Sequence, residues 1–238
     1  MTEAETRERI VETGRRLHAA GFVAANDGNI SARLPGGFVL ATPTGVSKGF
    51  MRASELCVTD MSGRQVSGPL KPSSELKMHL LIYSLRPDIG AIVHAHPVTA
   101  TGFAAAGLNL DQPVIAETAV TLGPVALAPY GTPGTDELAD ALRPLVPGHD
   151  AVLLANHGAV TYAADLERAL FMMESMEHCA RITLVTRQLG RTSPIPPRQL
   201  EKLAALRRAG EPLRQDEEAV ISAVTAALAE FNRRCTGA

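Results

Sequence analysis

A chain of 238 residues, 45% hydrophobic and 20% charged, carries enough apolar material for a sizeable core, in one large domain or two small ones. A formal net charge of -2 gives no electrostatic reason to expect nucleic acid or an anionic membrane as partner, and the absence of Trp removes the best platforms for stacking bases. Cys57, Cys179 and Cys235 are scattered and odd in number, which points to reduced thiols in a cytoplasmic protein; the N-terminus is too polar for a signal peptide, and no apolar run approaches the ~18 residues of a membrane span.

In chain order, residues 2–20 are predicted to form a helix, with Thr2 and Glu5 at capping-box spacing, Ile10, Val11 and Leu17 as its apolar stripe and Gly21 as its stop. His18, near the end of that stripe, reads as a surface or packing residue. A turn-rich link, Asn26 to Ser31, leads into strands at 30–34 and 38–41, separated by Pro35-Gly36-Gly37. Thr42-Pro43-Thr44-Gly45 and its continuation to Lys48 fit either of two roles: ordinary turn chemistry, or backbone N–H groups and hydroxyls offered to an anion with Lys48 adding charge. Residues 56–66 form a hairpin around Ser62-Gly63.

Lys71-Pro72-Ser73-Ser74-Glu75 opens a helix that ends before Pro87. A helix start with two serines is a seat for phosphate, and an acid such as Glu75 is also favoured there by the helix dipole alone. His79, inside this helix, reads as packing. Gly90 to His96 is a short strand, so His94 and His96 share a face and are placed either to bind one metal ion or to pack as a pair. A helix over 99–107, a loop or strand over 109–116, a strand over 125–128 and a helix over 136–142 capped by Thr135 follow. Glu117 is an acid in neutral company. Residues 151–155 are a buried strand, ended by Asn156-His157-Gly158, where a histidine at a strand end is placed as a functional residue. The run 165–189 is a long helix with Leu166, Ala169, Leu170, Met173, Ala180 and Leu184 facing inward; its methionines are core filler and His178 is a solvated or interface residue. Two C-terminal helices, about 198–208 and 215–232, complete what reads as one domain over 1–238.

His94, His96 and His157 with Glu75 are therefore the candidate constellation. Three imidazoles leave a fourth position open, which is the catalytic pattern for zinc, although spacing alone does not bring His157 to the other two.

The Gly28-Asn29-Ile30-Ser31, Thr42-Pro43-Thr44-Gly45, Lys71 to Glu75, His94-Ala95-His96 and Asn156-His157-Gly158 motifs together resemble, over about residues 8–190, the class II aldolase/adducin family, and most nearly its fuculose-phosphate aldolase branch. The resemblance implies a three-layer α/β/α fold on a mainly antiparallel sheet, usually as a homotetramer with sites between subunits. It implies Zn2+ held by His94, His96 and His157, with Glu75 a resting ligand that leaves to act as general base. Gly28, Asn29, Thr44, Gly45, Ser73 and Ser74 would hold a substrate phosphate. The implied reaction is cleavage of a ketose 1-phosphate to dihydroxyacetone phosphate and an aldehyde through an enediolate.

One position departs from that branch. Glu117 stands where the aldolases carry a tyrosine that reaches the aldehyde side from a neighbouring subunit. A glutamate there resembles the family's methylthioribulose-1-phosphate dehydratases, which lack a counterpart of Glu75. With both acids present, the chain reads as an aldolase with an altered aldehyde pocket, with Tyr130 a further catalytic candidate. A dehydratase or a decarboxylase of a 3-oxo-tetronate 4-phosphate is the alternative. A 4-epimerase lacks its insertion here, and a non-enzymatic adducin-like scaffold would lack the histidines.

Overall fold

The computed structural model describes residues 2–209. Its elements are α1 (Glu3–Ala19), β1 (Asn29–Leu34), β2 (Phe38–Ala41), β3 (Cys57–Asp60), β4 (Gln65–Ser67), α2 (Leu76–Leu85), β5 (Ala91–Ala95), α3 (Val98–Ala105), α4 (Ala116–Thr121), β6 (Ala126–Ala128), α5 (Asp136–Leu142), β7 (Ala151–Leu154), β8 (Gly158–Ala163), α6 (Leu166–Gln188) and α7 (Pro197–Ala209). The helix expected at 215–232 lies outside the described residues, as does Cys235.

The strands form one sheet in the order β4-β3-β2-β1-β5-β8-β7-β6, antiparallel throughout except for the parallel pair β6–β7. Alternation along the strands divides the core into two layers. Ala91, Val93 and Leu153 pack with Ile10 and Leu17 of α1, Phe103 of α3 and Leu170 and Met173 of α6. Ile92, Val152 and Leu154 face the other way, onto Ile82 of α2 and Leu142 of α5. This is the three-layer α/β/α arrangement that the family resemblance implied. Burying each of these large aliphatic side chains contributes on the order of 1.5–3 kcal/mol.

Local signals set the helix ends. Thr2 and Glu5 make the reciprocal capping box, Thr135 accepts from the Glu137 N–H, and Asp165 accepts from the Arg168 N–H. Two elements differ from the sequence reading. Residues 116–121 are helical, and Gly158–Ala163 is a strand at the centre of the sheet, paired with β5 and β7. Its Val-Thr-Tyr core has strand propensity, but the Gly158 that precedes it reads as a stop. Leu184, expected to face inward, is 41% exposed, because the buried stripe of α6 continues through Met176, Ala180 and Thr183, which leaves Leu184 beside it on the outer face.

This topology converges on one end of the sheet. β1 and β5 are neighbours, with Asn29 directly across from His94. The β7–β8 hairpin turns through residues 155–157, with Asn156 in the left-handed region at φ 54, a conformation Asn tolerates better than most residues. Glu75 is the N-cap residue of α2. Buried Glu177 of α6 accepts from the N–H groups of Thr99 and Ala100, which fixes the start of α3 just beyond His96 and Pro97.

Candidate metal centre and anion pocket

His94, His96 and His157 meet in space. His94 is wholly buried on β5, and its Nδ1–H donates to the Ala159 carbonyl at 2.9 Å, which turns Nε2 toward the cluster as the ring's ligand atom. His96 Nε2 lies 3.2 Å from His94 Nε2. Glu75 spans the group, with Oε2 3.3 Å from His94 Nε2 and Oε1 3.1 Å from His157 Nε2. A tetrahedral ion with bonds of about 2.0–2.1 Å has its ligand atoms about 3.3 Å apart, so these separations match a first-row metal cage. Two imidazole lone pairs at 3.2 Å repel unless a cation or a proton sits between them.

The electrostatics suit a cation. Burial and the neighbouring His94 and His157 push the pKa of His96 down to about 4, so it is a neutral ligand at pH 7. Burial works against an ionised Glu75, but His94 and His157 outweigh it and hold the carboxyl well below the usual range. Asp27 Oδ2, 3.5 Å from His96 Nδ1, orients that ring from behind.

Beside the cluster is a cavity of about 230 Å³. Gly28, Asn29, Thr44, Gly45, Ser73 and Ser74 all line it, together with Glu75, His96 and His157. Two backbone bonds bring its walls together: Thr44 N–H to the Lys71 carbonyl at 3.0 Å, and Ser73 N–H to the Thr42 carbonyl at 3.1 Å. Gly28 has φ 72, and a Cβ there would fall 2.7 Å from the His94 carbonyl oxygen, so only glycine lets this loop approach β5. Lys48 is buried, and its Nζ donates to the carbonyls of Asn26 (2.9 Å) and Val46, tying the two loops together behind the cavity.

The structure brings Glu117 and Tyr130 to neither the cluster nor the cavity of the same chain. Glu117 is exposed on α4, and Tyr130 is 59% exposed. Sequence reasoning passed over three participants. Asp27 lay in a segment read only as a turn. Pro133 lines the cavity from the loop before α5. His79 was taken as packing, yet its Nε2 lies 2.6 Å from Asn29 Oδ1; its spacing of four from Glu75 was the available signal.

The family model for the class II aldolase and adducin N-terminal domain matches residues 8–184. The chain belongs to the class II aldolase/adducin family. It is 36% identical over 200 residues to the 5-deoxy-D-ribulose 1-phosphate aldolase of Bacillus thuringiensis serovar kurstaki, covering 83% of this chain and 93% of that one. It is 35% identical over 187 residues to the 3-oxo-tetronate 4-phosphate decarboxylase of Haemophilus influenzae, covering 76% and 88%. A solved L-fuculose 1-phosphate aldolase, 32% identical, superposes with a TM-score of 0.81 over 86% of this chain and 97% of its own. As an enzyme of the class II aldolase family, this chain has relatives and a three-histidine cluster that are both consistent with a metal-dependent lyase. Among the described residues no helix is long and apolar enough to cross a membrane.

Proposed function

We propose that the chain, read as one domain over 1–238, is a zinc-dependent aldolase that reversibly cleaves a ketose 1-phosphate to dihydroxyacetone phosphate and an aldehyde. The observation that carries this reading is the juxtaposition of three imidazoles and a carboxyl group, 3.1–3.3 Å apart, with a cavity walled by small polar loops.

His94, His96 and His157 would hold the ion, with Glu75 as the fourth ligand at rest. When bound, a divalent cation supplies Lewis-acid stabilisation of negative charge on substrate oxygens. The chain's own groups do the rest. The N–H groups and hydroxyls of Thr44, Gly45, Ser73 and Ser74, with Asn29, would bind the phosphate and so place the sugar carbons near Glu75. In cleavage, the C4 hydroxyl would pass its proton to a group on the aldehyde side, the C3–C4 bond would break as the C4 carbonyl forms, its electron pair would remain on C3 as the enediolate, and Glu75, having taken up a proton from solvent during turnover, would deliver that proton to C3. In condensation, Glu75 removes that proton. Glu117, exposed in the single chain, would act on the aldehyde side from a neighbouring subunit of a homotetramer, as the tyrosine at its position does in the aldolase branch, and Tyr130, also exposed, is a further candidate.

A second reading has support of its own: the decarboxylase relative is as similar as the aldolase relative, 35% against 36%. Loss of carbon dioxide from a 3-oxo acid leaves the same kind of enediolate, which needs the same proton on carbon.

Incubation of the zinc-loaded protein with a panel of ketose 1-phosphates and with a 3-oxo-tetronate 4-phosphate, with products identified by mass, tests this directly. Dihydroxyacetone phosphate plus an aldehyde supports the proposal. Carbon dioxide establishes the decarboxylase, and loss of water a dehydratase. No turnover of any phosphorylated sugar overturns the reading.

A further inference from the structure

Four buried polar side chains link the core to the candidate base, Glu75. Tyr83 Oη lies 2.9 Å from Ser31 Oγ, Ser31 Oγ 2.6 Å from His79 Nδ1, His79 Nε2 2.6 Å from Asn29 Oδ1, and Asn29 Nδ2 2.7 Å from Glu75 Oε2. Tyr83, Ser31, His79 and Asn29 are each no more than 4% exposed. The chain follows from the two periodicities of its elements. Glu75, His79 and Tyr83 recur at four-residue steps at the start of and along α2, and Asn29 and Ser31 at a two-residue step on β1, so one helix face meets one strand face.

The ionised end fixes every donor. A carboxylate only accepts, so Asn29 must turn its N–H toward Glu75 and its carbonyl oxygen toward His79. That oxygen needs a donor, so His79 carries its proton on Nε2. Burial lowers the His79 pKa to about 3, so the ring is neutral and its Nδ1 accepts from the Ser31 hydroxyl. Ser31 Oγ in turn accepts from Tyr83. Only one arrangement of protons satisfies all five groups.

We propose that His79 is a positioning residue for the reaction: it locks the Asn29 amide so that one N–H holds Glu75 Oε2 while the other is left for the substrate phosphate. Phosphate seat and base are then joined through a single amide whose orientation is set from the core. Without His79 the Asn29 carbonyl oxygen is left buried with no donor, so the amide loses one of the two bonds that hold it and its N–H groups are no longer fixed on Glu75 and the phosphate seat. The role in turnover rests on the aldolase reading given above; the orientation of the amide does not.

Two measurements separate them. Nitrogen-15 NMR of the histidine rings in the full-length protein should show His79 neutral with its proton on Nε2; a proton on Nδ1, or a charged ring, overturns the lock whatever the enzyme catalyses. Proton exchange at C3 of dihydroxyacetone phosphate is then followed in zinc-loaded wild type, His79→Leu, His79→Gln and Tyr83→Phe. The expected result is a fall of about 10–100-fold in kcat for His79→Leu at unchanged zinc content, with His79→Gln recovering most of it because its amide also donates, and Tyr83→Phe nearest to wild type. Exchange at the wild-type rate in His79→Leu overturns the proposal. So does an equal loss in His79→Leu and His79→Gln that tracks a shared drop in thermal midpoint, since that marks a purely structural role. If His79→Leu does not fold, the Gln and Phe variants carry the comparison. Wild type that exchanges no proton refutes the aldolase reading, and the tautomer still decides the lock.

Discussion

His94 Nδ1 donates to the carbonyl of Ala159 at 2.9 Å, across the β5–β8 pairing, and this bond decides which nitrogen of His94 faces the cluster. A backbone carbonyl only accepts, so Nδ1 carries a proton and Nε2 is the nitrogen presented to the cluster. That is the tautomer a metal ligand needs, and a strand pair sets it, not a mobile side chain.

His94→Ala should therefore abolish metal binding. Zinc content after dialysis, measured by elemental analysis, should fall from about one ion per chain to near zero. The fold should survive, because Ile92 and Val93 still pin β5 between the two core layers. Full zinc retention would sink the ligand assignment.

Glu75→Gln keeps the side-chain length but removes the charge and the capacity to take a proton. Exchange at C3 of dihydroxyacetone phosphate should drop by about 10²–10⁴-fold, the usual loss for a general base, while circular dichroism is unchanged and part of the zinc remains. Exchange at the wild-type rate would show that another group moves the proton.

The contrast between His157 and His79 shows what a sequence carries and what it hides. His157 was legible because it stands at a strand end before glycine, where core residues rarely sit. The β7–β8 hairpin that brings it to His94 was not, since β8 begins with the glycine that seemed to end the strand. His79 was hidden for the opposite reason. It lies in an apolar helix among buried neighbours, and its meaning depends on Asn29, a residue 50 positions away that only the packing of α2 on the sheet brings into reach. Turns, helix caps and the histidine pair are local, and local patterns were readable. Glu117 is a further case: its place in the chain is plain, but it is exposed on α4, and the role proposed for it would need a neighbouring subunit.

The phosphate seat predicts a substrate-selective loss. Ser74→Ala removes one hydroxyl from the cavity wall and leaves the backbone of the α2 start intact. A hydrogen bond to a charged group is worth about 1.5–3 kcal/mol, so kcat/KM for the phosphorylated sugar should fall by about 10–100-fold. Inorganic phosphate should inhibit the variant less than wild type. Equal inhibition of the two proteins would place the anion elsewhere.

Lys48 gives a pH-dependent stability. Burial pulls its pKa down from 10.5 to about 8, against the opposing pull of Asp27 and Glu75. Below about 8 the lysine is protonated in the folded and the unfolded chain, and the cost of burying its charge is fully present. Between about 8 and 10.5 the unfolded chain still holds a proton that the folded chain has released, so stability rises with pH through that window. Lys48→Met has no such group. In paired urea titrations, the difference between wild type and Lys48→Met should shift in favour of wild type from pH 7.5 to pH 10, with titrations elsewhere in the molecule cancelling between the two. A difference that stays flat would mean that the ammonium keeps its ordinary pKa. Lys48 would then hold the Asn26 and Val46 carbonyls as a fully solvated charge, which its burial contradicts.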